Sequence, residues 1–103
     1  MIARVTSVQF SPDKLEEVSR SIEDGIAAVQ QSQGFQGLLM LTDRSTGKVV
    51  IITQWEGEAT MQASNSLRQE QLAKLAHLVV GPATTEVYEV VTRAYGSQPG
   101  SGG

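Results

Sequence analysis

At 103 residues the chain is long enough for one small core, and a net charge of −3 with no basic cluster excludes a nucleic-acid footprint. Hydrophobic residues make up 40% and charged residues 18%, too apolar for a disordered chain. The absence of cysteine excludes disulfides and thiolate chemistry, and no apolar run approaches the ~20 residues of a membrane span. The chain starts directly on a strand-like pattern carrying Arg4, so no signal peptide and a cytoplasmic location are expected.

In chain order the pattern reads β-α-β-β-α-β. Met1 to Phe10, with Ile2, Val5, Val8 and Phe10, predicts a first strand. Ser11-Pro12-Asp13 has the form of a helix start: a cap, a proline at the first helical position, an acidic first turn. Leu15, Val18, Ile22, Ile26 and Val29 then form one apolar stripe at helical spacing, with Glu16, Glu17, Arg20, Glu23 and Asp24 off it. Gly25 interrupts that stripe at a cost of about 1 kcal/mol relative to alanine, which implies close approach of the helix to the sheet. Gly34 is expected to end the helix as a left-handed cap.

Phe35 to Thr42 predicts the second strand, and the polar turn Asp43 to Lys48, with Gly47, a hairpin into the third. Gly47-Lys48 is not a phosphate loop, because Thr42 stands where its first glycine belongs and Val49 where Ser or Thr belongs. Val49 to Ile52, four β-branched residues in a row, mark a strand buried on both faces that ends on Gln54-Trp55-Glu56. Gly57 turns the backbone and Glu58 opens a short helix to Ala63. Ser64-Asn65-Ser66 interrupts it, and Ser66 with Gln69 fits a capping box that restarts a helix. Its buried stripe is Leu72, Leu75 and Val79, with Ala76 between, and Gly81-Pro82 stops it. Thr84 to Ala94 predicts the last strand, so residues 1–95 form one domain and 96–103 a Gly/Ser-rich mobile tail.

This order fits an α+β, ferredoxin-like antiparallel sheet with both helices on one face. Leu38 to Leu41 and Val49 to Ile52 nevertheless offer apolar side chains to both faces, and no residues remain to cover the second. A second copy of the same sheet is the economical cover, giving a homodimer.

The stretch from Ile52 to Ala59, I-T-Q-W-E-G-E-A, resembles the strand-end wording of the antibiotic-biosynthesis-type monooxygenases of the dimeric α/β-barrel superfamily. Gln33-Gly34-Phe35 before the second strand and Gly81-Pro82 before the last are similar family-like marks, and the resemblance spans Met1 to about Ala94. It implies sheets that pair across their free faces into an α/β barrel. It also implies an oxidoreductase: either a cofactor-independent oxygenase turning polyketide phenols into quinones, or a heme degrader. Relative to the quinone-forming members, Ile51 stands for an asparagine and Met61 for a tyrosine, while Trp55 is retained and Arg68 matches an arginine on the following helix. Relative to the heme degraders, Ser7, Ser64 and Ala73 stand for the asparagine, the tryptophan and the axial histidine, with His77 one turn beyond.

The resulting expectation is a cofactor-free monooxygenase that takes a flat aromatic substrate and O2, with no metal, no nucleic acid and no membrane as partner. Trp55, Thr53 and Met61 are the candidate substrate contacts; His77 is the candidate base, and Asn65 and Arg68 the candidate donors. Each has an ordinary counterpart. Trp55 is equally a core aromatic, His77 a helix-end surface residue, Asn65 a helix-break residue and Met61 (like Met40) a core filler. Arg4 and Arg93, on the outer strands, are an anion clamp or partners in a solvated or inter-subunit salt bridge. The remaining alternative functions are a non-catalytic small-molecule-binding module on the same fold and, third, heme binding.

Overall fold

The computed structural model describes residues 1–96. The expected tail, apart from Gly96, lies outside the described residues. Four strands form one antiparallel sheet in the order β2-β3-β1-β4. They are β1 (Ile2–Gln9), β2 (Phe35–Asp43), β3 (Lys48–Trp55) and β4 (Thr84–Glu89). The helices α1 (Leu15–Gln30), α2 (Glu58–Ala63) and α3 (Asn65–Ala73) complete the ferredoxin-like α+β fold, with α1 and α3 on the same face of the sheet.

Strand parity decides which residues meet the helices. Arg4, Thr6 and Val8 on β1 and Phe10 just past it are buried, as are Val49, Thr53 and Trp55 on β3, while the residues between them are only half-buried. The main core packs Val8, Phe10 and Val49 of the sheet against Leu15 and Val18 of α1 and Leu75 and Leu78 beyond α3. The opposite face is bare. There Ile52 lies directly between Leu39 of β2 and Val5 of β1, and Leu41 lies opposite Val50. Leu39 and Leu41, on the edge strand β2, are 56% and 49% exposed, large values for leucines in a strand.

The hairpin between β2 and β3 forms as the turn chemistry dictates. The Asp43 carboxylate accepts from Ser45 N, Ser45 Oγ and Thr46 N, and these bonds lower its pKa. Gly47 takes φ +84°, and a Cβ there would collide with the backbone of Phe10 and Pro12.

Several expectations need correction. Ser11 stands before a 3-10 turn over Pro12–Lys14 without a side-chain capping bond, and α1 begins only at Leu15. Gly34 does have φ +80°, but α1 has ended at Gln30; Gly34 serves the turn in which Phe35 N donates to Ser32 O. Gly25 approaches the Gln71 side chain of α3, not the sheet. Gly57 is fully extended (φ −162°) with open space at its Cβ position, so the turn after Trp55 does not need a glycine.

The restart of the helix lies at Ser64, not Ser66, and no side-chain cap forms there: Ser64 Oγ instead donates back to Met61 O. The stripe read as helical through Val79 leaves the α-helix at Ala73. A 3-10 turn over Ala76–Leu78 follows, burying Leu78 and delivering Val79 to a bridge with Phe10. β4 stops at Glu89, five residues short of the expected end, because β1 starts at Ile2 and the last backbone bond it can offer is Val90 N to Met1 O. Among the described residues no helix is long and apolar enough to cross a membrane.

Candidate functional site

The two helices do not lie flat on the sheet. The first half of α1 buries Leu15 and Val18, whereas Ile22, Ile26 and Val29 in its second half stay half-buried. The space left between them and the sheet is a cleft of about 90 Å³, partly open to solvent. Its floor is Leu38 of β2 with Ile51 and Thr53 of β3; its walls are the three aliphatics of α1 and Leu72 and Leu75 on the opposite side. Cavities of ~150 Å³ hold a benzene. This one is smaller than that, so an aromatic ring seated here has to extend through the open side.

The polar end of the cleft is built by two arginines. Arg4 is 6% exposed on β1, an interior strand, so its expected place on an outer strand is corrected. Its Nη1 donates to Asn65 Oδ1 (2.9 Å) and its Nη2 to Ser64 Oγ (3.3 Å), and its guanidinium lies 5.8 Å over the Trp55 ring. Arg68, from α3, donates through Nη2 to Thr6 Oγ1 (3.2 Å) and Thr85 Oγ1 (2.7 Å). Burial, and then the neighbouring charge of Arg68, lower the Arg4 pKa to about 10; burial also lowers that of Arg68. At neutral pH Arg4 keeps its proton, so the cleft has a positive end and an apolar body.

The residues singled out from the sequence divide around this cleft. Thr53 and Arg68 line it. Asn65 is exposed at the start of α3 and does not line the cleft; its amide oxygen accepts from Arg4 and so positions that guanidinium. Trp55 is fully buried one step beyond Thr53. Its Nε1 donates to Thr53 Oγ1 (2.9 Å), and its ring meets Phe35 edge-on at 5.5 Å. It is a core aromatic that backs Arg4, not a wall of the cleft. Met61 is likewise a buried core residue away from the lining.

His77 stands outside the cleft. Its side chain is 67% exposed and its Nε2 lies 3.8 Å from Glu17 Oε2 of α1, so it has the position of a surface ion-pair partner and not of a base in the cleft. On the first strand, Thr6 and not Ser7 faces the cleft, because Ser7 has the parity of the bare face. Arg93 does not join Arg4: it donates to Gln54 Oε1 (2.9 Å) and lies over Tyr95. Neither Arg4 nor Arg93 is in an ion pair among the described residues. Among those residues, too, no group of three or more His, Asp or Glu side chains could hold a metal.

Thr6 and Gln71 line the cleft although nothing in the sequence singled them out, and Arg4 was expected only as one half of an anion clamp with Arg93. For Arg4 a signal existed, since Ile2, Arg4, Thr6, Val8 and Phe10 share one parity and Val8 and Phe10 are plainly core. A cation on the core side of a strand is costly unless it has a use.

Comparison with known proteins places this geometry. The sequence model of the antibiotic biosynthesis monooxygenase family matches residues 1–74. No curated protein sequence matches the chain. Many solved structures share the fold. A protein from Nitrosomonas europaea, provisionally assigned as an antibiotic biosynthesis monooxygenase, superposes with a TM-score of 0.78 at 12% identity, over 89% of this chain and 100% of its own. A similarly assigned protein from Deinococcus radiodurans gives 0.76 at 19% identity, over 92% and 97%. A variant of SnoaB, a cofactor-independent oxygenase from Streptomyces nogalater, gives 0.73 at 13% identity, over 89% and 94%. At such identities the likeness establishes the fold.

Proposed function

The chain belongs to the antibiotic biosynthesis monooxygenase family, and from that membership we propose that it is a cofactor-independent monooxygenase acting on a flat aromatic or polyketide-like small molecule. The observation that carries the proposal is the cleft itself, apolar along its length and closed at one end by two charged guanidiniums. The cofactor-independent oxygenase among the similar structures supports it by analogy. A homodimer through the bare sheet face and a cytoplasmic location complete the reading.

In such a reaction the substrate is its own reductant. Its enolate or phenolate gives one electron to dioxygen, and the resulting radical and superoxide combine at carbon to form a peroxide. Loss of water then leaves a ketone, so that a methylene and O2 become a carbonyl and one H2O. The protein's share is to favour the anion and exclude water from the radical pair. Arg68 and Arg4 supply the positive potential, Asn65 and Ser64 hold Arg4 in place, and the aliphatic walls keep the reacting ring dry. The proton departs to solvent at the open side, because the lining contains no carboxylate, imidazole, phenol or amine. That same lack of a base favours one second reading, a non-catalytic small-molecule-binding module on this fold.

Turnover separates the two. Anthrones and naphthols incubated with the protein in air are expected to consume one O2 per ketone or quinone formed, without added metal or flavin. Arg68→Gln is expected to lower kcat/KM by roughly 10- to 100-fold, the worth of one charged donor at a developing anion. Saturable binding of the panel with no oxygen consumption would replace the oxygenase with the binding module.

A further inference from the structure

The charge at the closed end of the cleft is not balanced by the protein. All four hydrogen bonds of Arg4 and Arg68 go to neutral oxygens: the Asn65 amide and the hydroxyls of Ser64, Thr6 and Thr85. Among the described residues neither guanidinium has a carboxylate within 4.0 Å. The chain is not short of acids, with 11 Asp and Glu in its sequence and a net charge of −3. They lie elsewhere. Two cations this close, one of them 6% exposed, oppose each other and are ordinarily found paired.

No acid of the described residues supplies the missing charge, and the chemistry of a ligand that would supply it can be narrowed. A phenol ionises near pH ~10 and enters neutral at physiological pH, and no group in the lining can take its proton on arrival. An amine is repelled. A carboxylic acid ionises near pH ~4 and comes already charged, with two coplanar oxygens that match the fork of a guanidinium. Arg68 has the capacity to receive it, since only its Nη2 donates to a described residue and its Nε and Nη1 are uncommitted.

We propose that the ligand of this cleft is a carboxylic acid, its carboxylate held between Arg4 and Arg68 and its ring or other apolar body seated against Ile22, Ile26, Leu38 and Ile51. For an oxygenase this makes the substrate a hydroxy-aromatic acid whose ionisable hydroxyl lies beside the carboxylate, so that the developing anion stays in the field of the same two guanidiniums. The proposal rests on the reading of the cleft as the ligand site and adds the charge of what enters it.

A matched pair of probes tests it on the unmodified protein: 2-naphthoate and 2-naphthamide, equal in shape and different in charge, titrated by calorimetry at pH 7 and constant ionic strength. The acid is expected to bind at least about tenfold more tightly than the amide, a charge-assisted bond at a desolvated guanidinium. Arg68→Gln, on the half-exposed side of the pair, is expected to remove most of that preference while leaving the amide nearly unaffected. Equal affinities for acid and amide, or a preference that survives Arg68→Gln, would overturn the carboxylate proposal and leave the cleft as a neutral-ligand site. Failure of both compounds to bind would overturn the cleft as ligand site as well.

Discussion

Replacing Ile52 with aspartate is expected to abolish assembly and leave the chain insoluble or unfolded. Ile52 is at the middle of the bare face, directly between Leu39 and Val5 and beside Leu41 and Val50. Each aliphatic side chain removed from water contributes about 1.5–3 kcal/mol, and a two-fold axis through this face counts every one of them twice. An aspartate at that centre loses its own term and adds an unpaired charge to a desolvated surface, in both copies at once. The unmodified protein should sediment as a dimer at micromolar concentration and unfold at a midpoint that rises with concentration. A soluble wild-type monomer with a concentration-independent midpoint would mean that the two-faced strands tolerate water and that the dimer is not formed.

Trp55→Ala is the second large effect. The ring is fully buried, meets Phe35 edge-on at 5.5 Å, donates to Thr53 and lies under the Arg4 guanidinium. Emptying such a site costs about 3–5 kcal/mol, a large part of the ~5–15 kcal/mol that holds a domain of this size. At fixed protein concentration the urea midpoint should fall by roughly 2 M, if the chain folds at all. Trp55→Phe keeps most of the volume but leaves the Thr53 hydroxyl without its donor, about 1 kcal/mol. Its effect on ligand affinity should be no more than a few-fold, through the loss of an indole face worth about 0.5–1 kcal/mol to Arg4. Normal stability with abolished binding in Trp55→Phe would return the ring to the cleft wall.

The Trp55 question marks the boundary of what the sequence could say. Thr53 and Trp55 share a strand face at positions i and i+2, so parity alone assigns both to the helix side. Thr53 lines the cleft and Trp55 does not, a difference that parity cannot show. The succession of elements, the hairpin at Gly47 and the uncovered second face were legible because each rests on local pattern or turn chemistry, whereas the interior place of β1 in the sheet, a non-local pairing, was not. The span from Leu72 to Val79 was not, because its apolar residues at three- and four-residue intervals suit an α-helix and a 3-10 turn equally well. The same ambiguity put His77 on a helix end near the site, whereas the 3-10 turn carries it to the surface beside Glu17. The unbalanced Arg4–Arg68 pair joins residues 64 positions apart in the chain, and no local pattern could have announced that neither would find an acid.

The central claim is that ligands enter the cleft between α1, α3 and the sheet, and the isoleucines test it directly. Ile22, Ile26 and Ile51 line the cleft, whereas Ile52, the next residue along β3, points to the opposite face. In a protein labelled only at the isoleucine δ1 methyls, titration with 2-naphthoate or 1-naphthol is followed by carbon–proton correlation spectra. The methyls of Ile22, Ile26 and Ile51 are expected to shift progressively and saturably, while that of Ile52 stays in place. A saturable shift of Ile52 with the other three unmoved would put the ligand on the outer sheet face and contradict the account.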